Sequence, residues 1–175
     1  MNVRMPRTTS AKIMNSPTDH SDAPFPPTAD FTLDFRSNAL RQLHEYWVSK
    51  LDGRPMPQRA DIEPTEIPRL LQHIALVDVE YDPFRLYFRL IGTHITQAVD
   101  RDSTGCYFDE VYHGQMLEDM VRLYSAAVHA KKPVRHLSRA IYADKEYRQY
   151  ESVHLPLSKD GETVNMILAG VEFFV

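Results

Sequence analysis

A chain of 175 residues, 43% hydrophobic and 25% charged, suits a single globular domain with enough length to bury a core. Its net charge of −4 and isoelectric point near 6.0 exclude the basic footprint of a nucleic-acid binder, and no apolar run reaches the roughly 20 residues that cross a bilayer. The one cysteine, Cys106, excludes an internal disulfide framework and fits a reducing, cytoplasmic setting.

In chain order, residues 1–33 predict a disordered tail. Pro6, Pro17, Pro24, Pro26 and Pro27 lie among Ser, Thr and Asp, with no helical or strand period and little apolar surface to offset ordering entropy. Arg4, Arg7 and Lys12 lack the apolar stretch that would make a secretory signal. A helix is expected over 35–51, with Asp34 as its cap. Leu40, Leu43, Trp47 and Leu51 form one apolar stripe on it, and Asp52-Gly53 stops it. Residues 54–63 form a proline-punctuated loop in which Arg59 and Asp61 act as fasteners, by ion pair or by capping. A short helix follows over 64–72, with Pro64 in its first turn.

Residues 73–81 and 85–91 predict two strands joined by the turn Tyr81-Asp82-Pro83, hence an antiparallel hairpin. Gly92-Thr93 ends the second strand. The apolar spacing of Ile95, Ala98 and Val99 suits a helix of one or two turns, and 100–105 is turn-forming. Met116, Met120, Leu123, Tyr124, Ala127 and Val128 define a longer helix over 115–130, closed by Lys131-Lys132-Pro133. Three more strands follow, over 134–142, 147–157 and 163–175. The last two are linked by a turn in which Asp160-Gly161 supplies positive φ. The run Met166-Ile167-Leu168-Ala169 does not alternate, so its strand should be covered on both faces. The spacers are too short for βαβ crossovers, which makes the fold α+β with an antiparallel sheet.

Three segments, FRLYFRLIGT followed by DRDSTGCYFDEV, the block MPQRADIEPTEIPRLLQHIALVDV, and YESVHLPLSKDG, resemble PAS domains, in particular the small bacterial single-domain members. The resemblance covers residues 35–175. It implies a five-stranded antiparallel sheet in the order 2-1-5-4-3, helices on one face with a pocket beneath them, and a sensory role. The helix over 35–51 is then an N-terminal addition, and a homodimer through its apolar stripe is the expected assembly. The domain range is 34–175, after the tail.

Strand parity selects the pocket residues. With Arg89 turned to solvent, Leu86, Phe88 and Leu90 turn inward; with Arg135 and Arg139 outward, His136 and Ser138 turn inward. Met116, Met120 and Tyr124 close the hollow from the long helix, and methionine suits a wall that adapts to a ligand. The candidate ligand-binding set is therefore Phe88, Leu90, Met116, Met120, Tyr124, His136 and Ser138, for a small apolar ligand; the same side chains could equally fill a core.

No enzyme motif stands out. The 6 glycines do not cluster into a phosphate loop, and no nucleophile elbow occurs. Cys106 sits among Asp100, Asp102 and Asp109, which argues for an inert, buried thiol rather than a nucleophile. The flavin-binding Cys motif of light-sensing PAS relatives is missing between Thr93 and Gly105. His129 is poorly placed for haem, and no histidine pair has helical metal-site spacing. The cofactor is left open and no metal is expected. Two further readings compete with a regulatory module that contacts a partner protein: a cone-shaped α+β hydrolase or isomerase, and an adaptor with a filled core.

Overall fold

The computed structural model describes residues 29–139 and 149–175. A 6-stranded antiparallel sheet forms the centre, in the order β1-β4-β5-β6-β2-β3. The strands are β1 (Ala29–Asp30), β2 (Ile74–Glu80), β3 (Arg85–Ile91), β4 (Val134–Ser138), β5 (Gln149–Ser158) and β6 (Val164–Phe174). Without β1 this is the expected 2-1-5-4-3 order. Within the tail expected over 1–33, Ala29 and Asp30 instead pair with His136 and Arg135; residues 1–28 lie outside the described ones. Two residues show no period, so this edge strand had no signature.

Helix α1 (Asn38–Ser49) begins at Ser37, whose hydroxyl accepts from the Leu40 N–H at 3.2 Å. Asp34 is not the cap. Leu40, Leu43 and Trp47 are buried, and the Trp47 indole donates to the Pro156 carbonyl at 3.0 Å. The stripe thus lies on the domain's own β5 and β6. Its closeness is set by Gly170, where a Cβ would stand 2.7 Å from Leu43 and 2.8 Å from Leu40. The reason for joining two copies through this stripe is removed, since the domain uses it up.

The segment between α1 and β2 is not one helix but three 3₁₀ turns: Arg59–Asp61, Pro64–Glu66 and Leu71–His73. Pro68 interrupts any longer run by removing an amide donor. Asp61 fastens the first turn as expected. Its carboxylate accepts from the Gln58 N–H at 2.8 Å and from Arg54 at 2.7 Å, while Arg59 donates to the Ile62 carbonyl.

The other face of the sheet carries α2 (Thr93–Val99), α3 (Phe108–Val111) and α4 (Gly114–Ala130). β6 is covered on both sides, by α1 and by α2 with α4, and residues 166–169 are all buried. Gly92 joins β3 to α2. A Cβ there would lie 2.4 Å from the Gln72 carbonyl oxygen and 2.6 Å from that of Leu71. Backbone atoms cannot swing aside as side-chain tips can. Gly92→Ala should therefore cost about 3 kcal/mol in urea unfolding, the upper range for overpacking. A cost under about 1 kcal/mol would show that the two turns can separate.

Two parity assignments fail for identifiable reasons. The β2–β3 register shifts between Leu76 and Val77, whose partners are Leu90 and Phe88. Arg89 is the extra residue. It faces solvent as expected, in a bidentate ion pair with Asp78, but the bulge resets the alternation after it. Leu86 and Phe88 are buried, whereas Leu90 is 43% exposed on the opposite face. On β4, Arg135 points away from α2, α3 and α4, toward the start of α1, but not into solvent. It is buried, bonded to Glu151 at 2.5 Å and to Asp30 at 2.9 Å. The strand expected over 134–142 is seen through Ser138; residues 140–148 lie outside the described ones.

Candidate functional site

A small cavity of about 80 Å³ lies between the sheet and the helices. α4 contributes Met120, Leu123 and Tyr124; α2 contributes Ile95 and Val99; the following loop contributes Arg101 and Ser103. The sheet floor is Phe88 on β3, the row Tyr150, Ser152 and His154 on β5, and Val171 and Phe173 on β6. The volume holds two or three waters or a ligand of a few heavy atoms. That is well below the roughly 300 Å³ at which drug-sized sites begin.

Aromatic packing sets the walls. Phe88 stacks on Phe108 with ring centroids 4.3 Å apart, Tyr124 meets Phe108 edge-on at 5.0 Å, and His154 meets Tyr124 edge-on at 4.5 Å. Such edge contacts fix ring orientation as well as burying area.

The polar content is small and specific. Ser152 is 2% exposed and His154 1%; Ser152 Oγ and His154 Nδ1 have no hydrogen-bond partner. Burying polar atoms unpaired costs about 1–3 kcal/mol each, so a site that keeps them holds open places for a ligand or water. Burial pushes the His154 pKa down from its ordinary 6.5 to about 3, and the nearby His136 pushes it the same way. The ring is therefore neutral at physiological pH, and one nitrogen can donate while the other accepts.

Of the seven expected ligand residues, the cavity gathers Phe88, Met120 and Tyr124. His136 is buried on the same face, but its Nε2 lies 3.0 Å from the Tyr150 hydroxyl, one step behind the wall. Ser138 is half-buried at the end of β4 and does not line the cavity. Met116 is 43% exposed, one turn before Met120 and turned to solvent. Leu90 lines an open apolar groove of about 620 Å³ on the opposite face, with Ile62, Ile67, Leu71 and Leu76. The β5 residues were missed, although Tyr150, Ser152 and His154 sit at i, i+2 and i+4 and the same parity argument reaches them. Cys106 is half-buried rather than core; its carbonyl and the Gly105 amide pair with Phe88 of β3.

A second cluster lies beside the cavity. His73 closes the last 3₁₀ turn, His94 sits in the first turn of α2, and Glu172 is on β6. Glu172 is 3.4 Å from His73 Nδ1 and 3.0 Å from His94 Nε2.

An antiparallel sheet roofed on one face by short helices, with a small polar-tipped cavity beneath them, is the architecture of a PAS-type module. The PAS domain family model matches residues 35–171, and the chain belongs to that family. Members of this class are sensory or regulatory modules. Comparison with curated proteins returned no match. Among the described residues, no helix is long and apolar enough to cross a membrane.

Proposed function

We propose that this PAS domain is a non-catalytic regulator whose cavity binds a small, largely apolar molecule carrying one hydroxyl or carboxyl group. The observation that carries this reading is the pair of unpartnered, buried atoms Ser152 Oγ and His154 Nδ1, which offer a donor and an acceptor inside an apolar wall. Occupancy acts on the helices, because Met120, Leu123 and Tyr124 of α4 line the cavity. A shift of α4 passes to whichever regulatory protein reads that surface. A homodimer through residues 35–51 has only the outer face of α1 to use, where Val48 is 44% exposed.

Butanol and butyrate are suitable probes, since they differ in the tip group while fitting the volume. In two-dimensional NMR titrations, at least one should give saturable shifts at α4 and β5 amides. Ser152→Leu should fill the cavity and abolish those shifts while leaving the fold intact. If neither probe saturates, or if both bind Ser152→Leu as well as the wild type, the cavity is simply core and this reading fails.

A further inference from the structure

We propose that His73, His94 and Glu172 form a binding site for a divalent transition-metal ion, Zn²⁺ or one of similar ligand preference. The three donor atoms lie within 4.8 Å of one another. Two ligands held about 2.1 Å from a tetrahedral Zn²⁺ stand roughly 3.4 Å apart. The carboxylate of Glu172 is 3.4 Å from His73 Nδ1 and 3.0 Å from His94 Nε2. The first distance is to Oε2 and the second to Oε1, and both are close to the ligand–ligand spacing of such a site.

The nitrogens are also available. His73 Nδ1 and His94 Nε2 are buried and have no hydrogen-bond partner; they approach the carboxylate without the angles of a hydrogen bond. Two imidazoles and one carboxylate form a borderline-soft set that selects Zn²⁺, Co²⁺, Ni²⁺ or Fe²⁺ over Mg²⁺ or Ca²⁺.

The fold holds the ligands in place. Each comes from a different element, and Gly92 is what brings two of them together. Its close approach to the Leu71 and Gln72 carbonyls packs the last 3₁₀ turn against the start of α2, leaving the His73 and His94 rings 4.4 Å apart. The other ring nitrogen of His73, Nε2, lies 3.1 Å from the Gln72 side-chain amide, a second contact of the kind that orients metal-binding imidazoles. The side chains are 12%, 25% and 20% exposed, so an ion can enter from solvent. Three protein ligands leave a fourth position for water or an outside donor.

The test uses the full chain, stripped with a chelator. Calorimetry with ZnCl₂ should find one equivalent bound, and Co²⁺ should give visible ligand-field bands of a low-coordinate site. His94→Ala and Glu172→Gln should each weaken Zn²⁺ by at least about 10-fold, while His129→Ala, an exposed residue of α4, should leave it unchanged. Glu172→Gln keeps the side-chain shape. Saturating Zn²⁺ should raise the wild-type melting temperature by mass action, and Glu172→Gln should lose that rise. Absence of stoichiometric binding, or equal affinity in His94→Ala and Glu172→Gln, would overturn the site and leave the three residues an ion-paired cluster.

Discussion

Replacing Glu151 by Ala should destabilise the protein by about 3–5 kcal/mol, the range for removing one partner of a buried ion pair. Glu151 is fully buried. One carboxylate oxygen accepts from the Arg36 N–H at 3.0 Å and from Arg135 Nε at 2.5 Å, and the other accepts from the Ser37 N–H at 2.7 Å. One side chain therefore joins the entry to α1, strand β4, and through Arg135 the edge strand β1. Alanine would leave two main-chain donors unpaired and Arg135 with Asp30 alone. Asp30 cannot substitute fully, being a more exposed partner on a two-residue strand. Urea unfolding at neutral pH reads the loss. Glu151→Gln should cost less than Ala, because it retains an acceptor. A double change, Arg135→Met with Glu151→Leu, should recover much of the loss, since apolar replacement of a buried pair is often near neutral. A loss under about 1 kcal/mol for Glu151→Ala would mean that water reaches the pair.

That buried pair also shows where sequence reasoning stops. Element types were legible because apolar spacing at two and at three to four residues reports one-sided burial, while the order of strands across the sheet came only from the PAS resemblance. Which residues a charge marks as outward was not legible. Arg89 and Arg135 look alike in their strands, yet Arg89 meets water and Arg135 meets a carboxylate 16 residues along the chain. A one-residue bulge was equally invisible, and it alone moved Leu90 to the wrong face. The cavity was half legible. Phe88, Met120 and Tyr124 follow from period, but Ser152 and His154 needed parity to be carried onto β5. The His73–His94–Glu172 cluster had no local signature at all. Its members are separated by whole elements, and only the packing at Gly92 makes two of them neighbours. Metal spacing rules read ligands on one helix or one loop, so they pass over a site assembled from three.

His154 makes the second large prediction, and it bears on how the cavity works. In the folded protein its pKa is held down to about 3, while the unfolded chain returns it to its ordinary 6.5. Below pH 6.5 the unfolded state therefore takes up a proton that the folded state refuses. Stability from this group is full above pH 6.5 and is lost as the pH falls toward 3, at up to about 1.4 kcal/mol per pH unit. Over the whole window the loss approaches about 4 kcal/mol. The half-buried rings of His44 and His73 also have depressed pKa values, through burial first, and add slope of the same sign. A comparison with His154→Leu separates them. That variant keeps the volume, removes the unpartnered Nδ1, and should be flatter than the wild type between pH 6.5 and 4.5 by most of one proton's worth of slope. Chemical denaturation at several pH values measures this directly. Equal slopes in the two proteins would show that the folded state admits the proton, and with it enough water to make the cavity wet. A neutral ring at every physiological pH has a functional consequence as well. Binding of an uncharged probe such as butanol should not change between pH 6 and 8, because neither Ser152 nor His154 alters its charge there. Under the proposed function, the cavity's response to an uncharged molecule would then be independent of acidity over that range.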